Sequence, residues 1–396
     1  MSAETLIENS LVVHAFLAEK GWRSQICTKC GSTFFIKTSN STNSTFCGWH
    51  KCNNGTYPFR TLSKRKSLLT IQQINTRMRE YFRSVGFIPI PPLNIANAAG
   101  QTDLVIAGVQ VFDNIIHNEE PIREDPFFIS QPCVRMQFQP QVESQEGTSS
   151  SFVNVCTEKM GAGITQHLQT IDQWCTFLSQ MGLHMNDFVL VLRTRTNDWG
   201  TGAFQSLELF FSYGGLELGD AAFVLIPQAN RDPIPISDIG FGLERIAWAV
   251  NKTASYFDLL TPWTSTESRE LHDACRTLSL LVLCGVQASN KGPGLQFRRF
   301  AKLLSEKYYG AELYALIQYY YNYWAQFIEP HVDCEQTLLR ARLEIERFIN
   351  RRLCAELKLP RPDEETTEDY LNRLVYLHGA NLHELRNTVQ TCKRQR

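Results

Sequence analysis

Ser237-Asp238-Ile239-Gly240-Phe241-Gly242-Leu243-Glu244-Arg245-Ile246-Ala247-Trp248 is the stretch on which fold and chemistry turn. Its two glycines, two residues apart, allow a ligand or another backbone to come close. The apolar pattern that follows predicts a helix over Ile239 to Val250, which would carry Arg245 toward a bound anion. Asp238 precedes the glycines, where a carboxylate serves as a helix N-cap or as the partner of a cation.

Two stretches upstream belong with it. Ser130-Gln131-Pro132-Cys133-Val134-Arg135 reads as a strand ending in an arginine, whose planar fork of donors suits a phosphate. Ala203-Phe204-Gln205-Ser206-Leu207-Glu208 is followed by Gly214-Gly215-Leu216-Glu217. Taken singly, each has an ordinary reading: Arg135 as a strand-end surface charge, Asp238 as a cap, Arg245 as the partner of an exposed glutamate.

Around these stretches lie short β-like runs: Phe87 to Ile90, Leu104 to Ile106, Phe127 to Ser130, Val153 to Thr157, Phe188 to Leu192, Ser206 to Phe211 and Ala221 to Ile226. They predict one large, mainly antiparallel sheet. An amphipathic helix precedes them between Ser63 and Phe82, with Leu68, Ile71, Ile74, Met78 and Phe82 at helical spacing. Gln139 to Ser151 is polar and reads as a long mobile loop, and the pattern is helical from Ser268 onward. The class is therefore α+β, divided into a small N-terminal module (1–58), a sheet domain (59–265) and an all-α domain (266–396). In the last, the tyrosine-rich run from Tyr308 to Trp324 recurs at core spacing and reads as packing. Arg340, Arg342, Arg347, Arg351 and Arg352 suit either RNA phosphates or ion pairs with the interspersed Glu335, Glu344 and Glu346.

Composition sets limits on function. Of 396 residues, 43% are hydrophobic and 20% charged, and 39 Lys+Arg against 40 Asp+Glu leave a net charge of -1, which excludes a histone-like polycation. The start of the chain lacks a basic leader, and no run approaches the roughly 18 apolar residues of a membrane span. A cytoplasmic protein with no membrane partner is expected. Of the twelve cysteines, only the first four cluster. Cys27-x2-Cys30 and Cys47-x4-Cys52 approach the paired-knuckle spacing of a zinc ribbon, with His50 an alternative to Cys52 as fourth ligand.

In this order the three central stretches resemble the catalytic core of the class II alanyl-tRNA synthetases. Ser237 to Trp248 is similar to that family's Asp-Thr-Gly-Met-Gly-Leu-Glu-Arg signature, and Ala107-Gly108-Val109-Gln110-Val111-Phe112 to its Ala-Gly-Met-x-x-Phe segment. Ser289-Asn290-Lys291-Gly292-Pro293-Gly294-Leu295-Gln296-Phe297-Arg298-Arg299 resembles the start of its helical tRNA-binding domain, and the cysteine module resembles the archaeal-type knuckle. The resemblance implies a class II antiparallel sheet flanked by helices. It further implies activation of alanine or a related small amino acid with ATP and Mg²⁺, a Zn²⁺ at the four cysteines, and transfer to a tRNA acceptor stem. Arg135 would bind the α-phosphate of ATP and Arg245 the γ-phosphate, with Glu158 also at the nucleotide. Asp238 would hold the α-ammonium, and Glu208, Asp220, Ala222 and Gly240 would line the amino-acid pocket. Asn290, Arg298 and Arg299 would meet the tRNA.

The sequence also departs from the family pattern. The Arg-His pair expected before Phe152 is missing, Asp220-Ala221-Ala222-Phe223 stands where bacterial members carry Asn-Leu-Val-Phe, and Val375-Tyr376-Leu377-His378-Gly379 lacks the aspartate of Leu-Tyr-Asp-x-x-Gly. Neither the editing domain nor the dimerisation module of the family is recognisable, so correction of mischarged products within the chain is not expected. A paralogue that adenylates an amino acid and loads a carrier protein, peptide or amine is the alternative reading. A non-catalytic RNA-binding derivative is a third.

Overall fold

The computed structural model describes residues 3–39, 45–48, 52, 57–62, 68–96, 102–117, 120–198, 202–228, 232–260, 268–307, 311–358, 360, 362–363 and 365–394. After α1 (Ala3–Glu19) comes a hairpin of β1 (Trp22–Ile26) and β2 (Thr33–Lys37), then α2 (Ile71–Ser84) and the short β3 (Ile88–Pro89). A one-turn α3 (Asp113–His117) leads to β4 (Phe127–Val134) and β5 (Ser151–Met160), and α4 (Ile164–Gln180) to three long strands, β6 (Phe188–Asp198), β7 (Ala203–Tyr213) and β8 (Leu216–Ile226). The sheet is completed by β9 (Ile234–Gly242), which runs directly into α5 (Leu243–Asn251). The helices α6 (Arg269–Leu283), α7 (Gly292–Lys307), α8 (Ala311–Trp324), α9 (Cys334–Leu357), α10 (Thr367–His378) and α11 (Leu382–Arg394) follow.

The sheet has nine strands in the order β1-β2-β6-β7-β8-β9-β5-β4-β3, antiparallel throughout except for the β3–β4 edge. This is the α+β architecture expected, with differences in detail. Ile234 to Gly242 forms a strand where a helix from Ile239 was expected. Gly240 and Gly242 are poor helix formers, and pairing on both sides, to β8 and β5, absorbs the segment, so the helix begins only at Leu243. Leu104 to Ile106 is not a strand; Val105 makes single backbone bonds to Ile95 and Val134 instead. The β1–β2 hairpin, whose turn carries the first cysteine pair, was not expected and extends the sheet through β6. In the expected Ser63–Phe82 helix, residues 63–67 lie outside the described set. The helix starts at Ile71 because Thr70 caps it: its hydroxyl accepts from Gln73 N at 3.1 Å while the Gln73 side chain accepts from Thr70 N at 2.9 Å.

Strand alternation divides the sheet into two faces with different tasks. Val153, Val155, Leu209, Phe211, Ile239 and Phe241 point into the principal core with α2, α4 and α5, where Trp174 stacks on Phe241 at 4.4 Å and donates to Thr157 Oγ1 at 2.7 Å. That core continues without a break into the helices, through Leu278, Leu281, Tyr320, Trp324 and Ile345. The other face carries two smaller apolar clusters, one around Phe112, Phe127, Ala222 and Ile236 and one around Phe34, Ile36, Val191 and Phe210. Between them the residues are polar.

Candidate active site

The polar face is laid out in rows by the strand register. Glu208 on β7 lies opposite Ala222 on β8, Ala222 opposite Asp238 on β9, and Asp238 opposite Glu158 on β5. Two residues along, the row runs Phe210, Asp220, Gly240, Cys156, and beyond it Gly242 lies opposite Asn154. Glycine and alanine in the middle of these rows leave the face open.

Above the second and third rows lies a cleft of about 190 Å³. Arg135, leaving the end of β4, and Arg245, in the first turn of α5, both line it, together with Asp220, Gly240 and Gly242. Arg135 donates from Nε to Ile106 O at 2.8 Å and lies over the Phe152 ring at 5.0 Å. Arg245 donates from Nε to Gly147 O and from Nη1 to Glu217 O, each at 3.0 Å. Among the described residues, no acceptor takes the terminal nitrogens of Arg135, so its fork remains available to an anion.

The carboxyls occupy a less favourable environment. Burial first, then the neighbouring Asp238, holds Glu158 and Asp220 well above the usual carboxylate range. Burial also pushes Asp238 up to about 6, against the opposing pull of a hydrogen bond from Glu158. Glu158, expected at the nucleotide, is instead sealed at 0% exposure beside Asp238 and does not line the cleft. Glu208 is buried too, accepting from Ser206 Oγ at 2.8 Å with Arg195 3.0 Å away. Ala222 belongs to the neighbouring apolar cluster. The residues expected at the amino-acid pocket thus share one sheet face, with Asp220 and Gly240 on the cleft and Asp238, Ala222 and Glu208 one row along.

Several cleft residues had no motif to announce them. Asn154 ties two walls together: its Oδ1 accepts from Gly108 N at 3.0 Å and its Nδ2 donates to Phe241 O at 3.3 Å. A Cβ at Gly108 would lie 2.5 Å from Cys156 Sγ, so only glycine lets that segment reach β5. The alternation Phe152-Val153-Asn154-Val155 was the available signal. The stretch Gln139 to Ser151, expected to be a mobile loop, ends in the buried residues Thr148 to Ser151. Ser150 donates its N–H and hydroxyl to Asp273 on α6 at 2.6 and 2.5 Å.

In the helices, Asn290 is exposed just before α7 and accepts from Arg298, whose Nε also donates to Glu344 at 3.1 Å. Arg299 is exposed and donates to Gln296 at 3.2 Å. On α9, Arg342 pairs with Glu346 and Arg347 with Glu344, within the helix itself.

At the far edge of the sheet, the Sγ atoms of Cys27, Cys30, Cys47 and Cys52 all lie within 4.8 Å of one another. The Cys27–Cys52 and Cys30–Cys47 separations are 3.9 and 3.7 Å, against the edge of about 3.8 Å that a tetrahedron with zinc–sulfur bonds of ~2.3 Å requires. Gly31 and Gly48, each following a cysteine, adopt φ of +71° and +67°, the left-handed turn that folds each knuckle back. Cys47 N donates to Cys27 Sγ at 3.4 Å. Burial opposes ionisation of Cys30, but hydrogen bonding by Ser32 outweighs it and brings that thiol down to about 6. The donor set suits Zn²⁺. His50 lies outside the described residues.

Fold and cleft together define an α+β protein with two arginines and a set of carboxyls converging on one sheet face. No family model matches the chain. Its sequence is similar to archaeal alanine–tRNA ligases: 22% identical over 255 residues to that of Methanosphaera stadtmanae, covering 61% of this chain and 27% of the relative. The relatives from Methanocorpusculum labreanum and Archaeoglobus fulgidus are 27% and 25% identical over 292 and 280 residues, each covering 65% of this chain and 29% of the relative. The matched region thus resembles part of the alanine–tRNA ligases, and the chain spans under a third of the length of these relatives. Among solved structures, a pyrrolysyl tRNA synthetase from Desulfitobacterium hafniense aligns at 15% identity over 51% of this chain and 74% of that one, with a TM-score of 0.34. No described helix is long and apolar enough to cross a membrane.

Proposed function

We propose that the chain activates a small amino acid with ATP, forming an aminoacyl adenylate, and passes the acyl group to the end of a tRNA. The observation that carries this reading is the convergence of Arg135 and Arg245, 110 residues apart in sequence, on one cleft beside Asp220 and Gly240. Attack of a carboxylate on the α-phosphate of ATP brings negative charges together, and fixed guanidinium donors stabilise the charge that develops. Arg135 is assigned to the α-phosphate and Arg245 to the γ-phosphate. Phe152 and the glycine-lined wall leave room for the nucleotide. Asp238 anchors the α-ammonium and leaves the substrate carboxylate free to react. Mg²⁺ would enter with ATP and supply further charge neutralisation, with the partly exposed Glu217 on the cleft as its protein ligand.

Amino-acid-dependent exchange of pyrophosphate into ATP, measured across all amino acids, tests activation. The acceptor is tested separately. Asn290→Ala should impair transfer to tRNA and spare exchange, because Asn290 lies on the helical part, outside the cleft. The capture of Arg298 by Glu344 favours keeping a second acceptor in view. Robust exchange without charging of any tRNA would move the assignment to a carrier protein, peptide or amine.

A further inference from the structure

The site holds more carboxyl groups than a neutral amino acid uses. If Asp238 takes the α-ammonium, Asp220 remains: it stands on the adjacent strand opposite Gly240, on the same face, one row nearer the arginines. Among the described residues, neither aspartate has an ion pair with a basic side chain. Arg135 moderates both at a distance while bonded to Ile106, and Arg195 is taken by Glu208. Behind them, the Glu158 carboxyl is fully enclosed beside Asp238, and among the described residues it has no ion pair with a basic side chain. Carboxylates held partly out of water without cationic partners are costly when charged, and a bound cation would offset that cost.

Size is limited as well. Ala222 and Gly240 open the face, but a single carbon added at Gly240 would already sit 3.0 Å from Asn154 Nδ2 and 3.4 Å from Cys156 Sγ. Asp220 and Asp238 are diagonal neighbours on adjacent strands, about 7–8 Å apart along the face, a separation that two ammonium groups one or two side-chain carbons apart can bridge without a longer chain folding back.

We infer that the amino acid bound here is a short diamino acid, its α-ammonium on Asp238 and its side-chain ammonium on Asp220. This rests on the activation reading above and names its substrate class. A side-chain ammonium beside Asp220, whose carboxyl burial holds well above the usual range, would pull it back toward the ionised form, so binding releases protons.

The test uses the full-length protein and 2,3-diaminopropionate and 2,4-diaminobutyrate as probes, against alanine and serine. Isothermal calorimetry in two buffers of different ionisation enthalpy reads affinity and proton release without requiring turnover, and pyrophosphate exchange reads activation. One diamino acid should bind, release protons and exceed alanine and serine in exchange by about 10 to 100-fold, the worth of one charge-assisted contact. In Asp220→Asn, checked for an unchanged melting temperature, that ratio should fall at least about tenfold. Alanine or serine equalling the diamino acids, or a ratio unmoved in Asp220→Asn, overturns the inference, as does absence of diamino-acid binding. Binding with proton release but no exchange with any amino acid would support the ligand class while sinking the activation reading.

Discussion

Arg276 on α6 bonds to Glu244 at the start of α5, both fully enclosed. Glu244 also accepts from Val153 N at 3.0 Å and from the Tyr323 hydroxyl at 2.9 Å, so one carboxylate joins β5, α5, α6 and α8. The residue next to it is Arg245. The helical part therefore fixes the base of the helix that presents this arginine to the cleft.

Removing one partner leaves the other charged and buried. Arg276→Met should cost about 3–5 kcal/mol, read as a lowered denaturation midpoint, and Arg276→Met with Glu244→Leu should recover much of it. A single mutant as stable as the parent would show that the pair bears no load.

Arg135→Ala and Arg245→Ala should each lower pyrophosphate exchange by roughly 10² to 10³-fold, the loss expected for a preorganised donor to a developing charge. Near-normal exchange in both, with folding intact by circular dichroism, would remove them from the reaction.

Glu158 predicts an unusual pH dependence. Its folded-state pKa lies above that of the unfolded chain, so the folded protein holds a proton that the unfolded chain has already released, and stability falls as pH climbs from the ordinary carboxylate range. Glu158→Gln abolishes this loss. Thermal melts should show the variant stabilised by about 1–3 kcal/mol at pH 8 and by little at pH 5. Equal effects at both values would contradict a protonated Glu158.

Freshly purified reduced protein should contain one zinc per chain by metal analysis. Chelation should raise hydrogen exchange around β1, β2 and the cysteines while sparing β4, β5 and β9, because the four thiolates close a local loop at one sheet edge. Exchange rising equally across the whole sheet would contradict that locality.

Much of the α+β class and of the site was readable because it resides in local signals: alternating runs for β4 to β8, and the glycine-bearing stretch ending in Arg245. What escaped depended on partners distant in sequence. Glycines at 240 and 242 look like a turn before a helix, and only the flanking β8 and β5 make them strand. Thr148 to Ser151 looks like solvent-exposed linker, and its burial follows from partners more than 100 residues on: Tyr256 for Ser149, Asp273 for Ser150, and Arg276 and Thr277 for Ser151. The environment of Glu158 likewise follows from its register against Asp238, which no motif spells out.

The division of the sheet into an apolar face and a polar one restricts how this protein can change length. Deleting one residue within β9 would turn Ile239 and Phe241 outward and drive Asp238 and Gly240 beneath the helices, removing the core and the pocket in a single event. Insertions and deletions are thus tolerable only between strands, and the strands themselves can diverge by substitution alone.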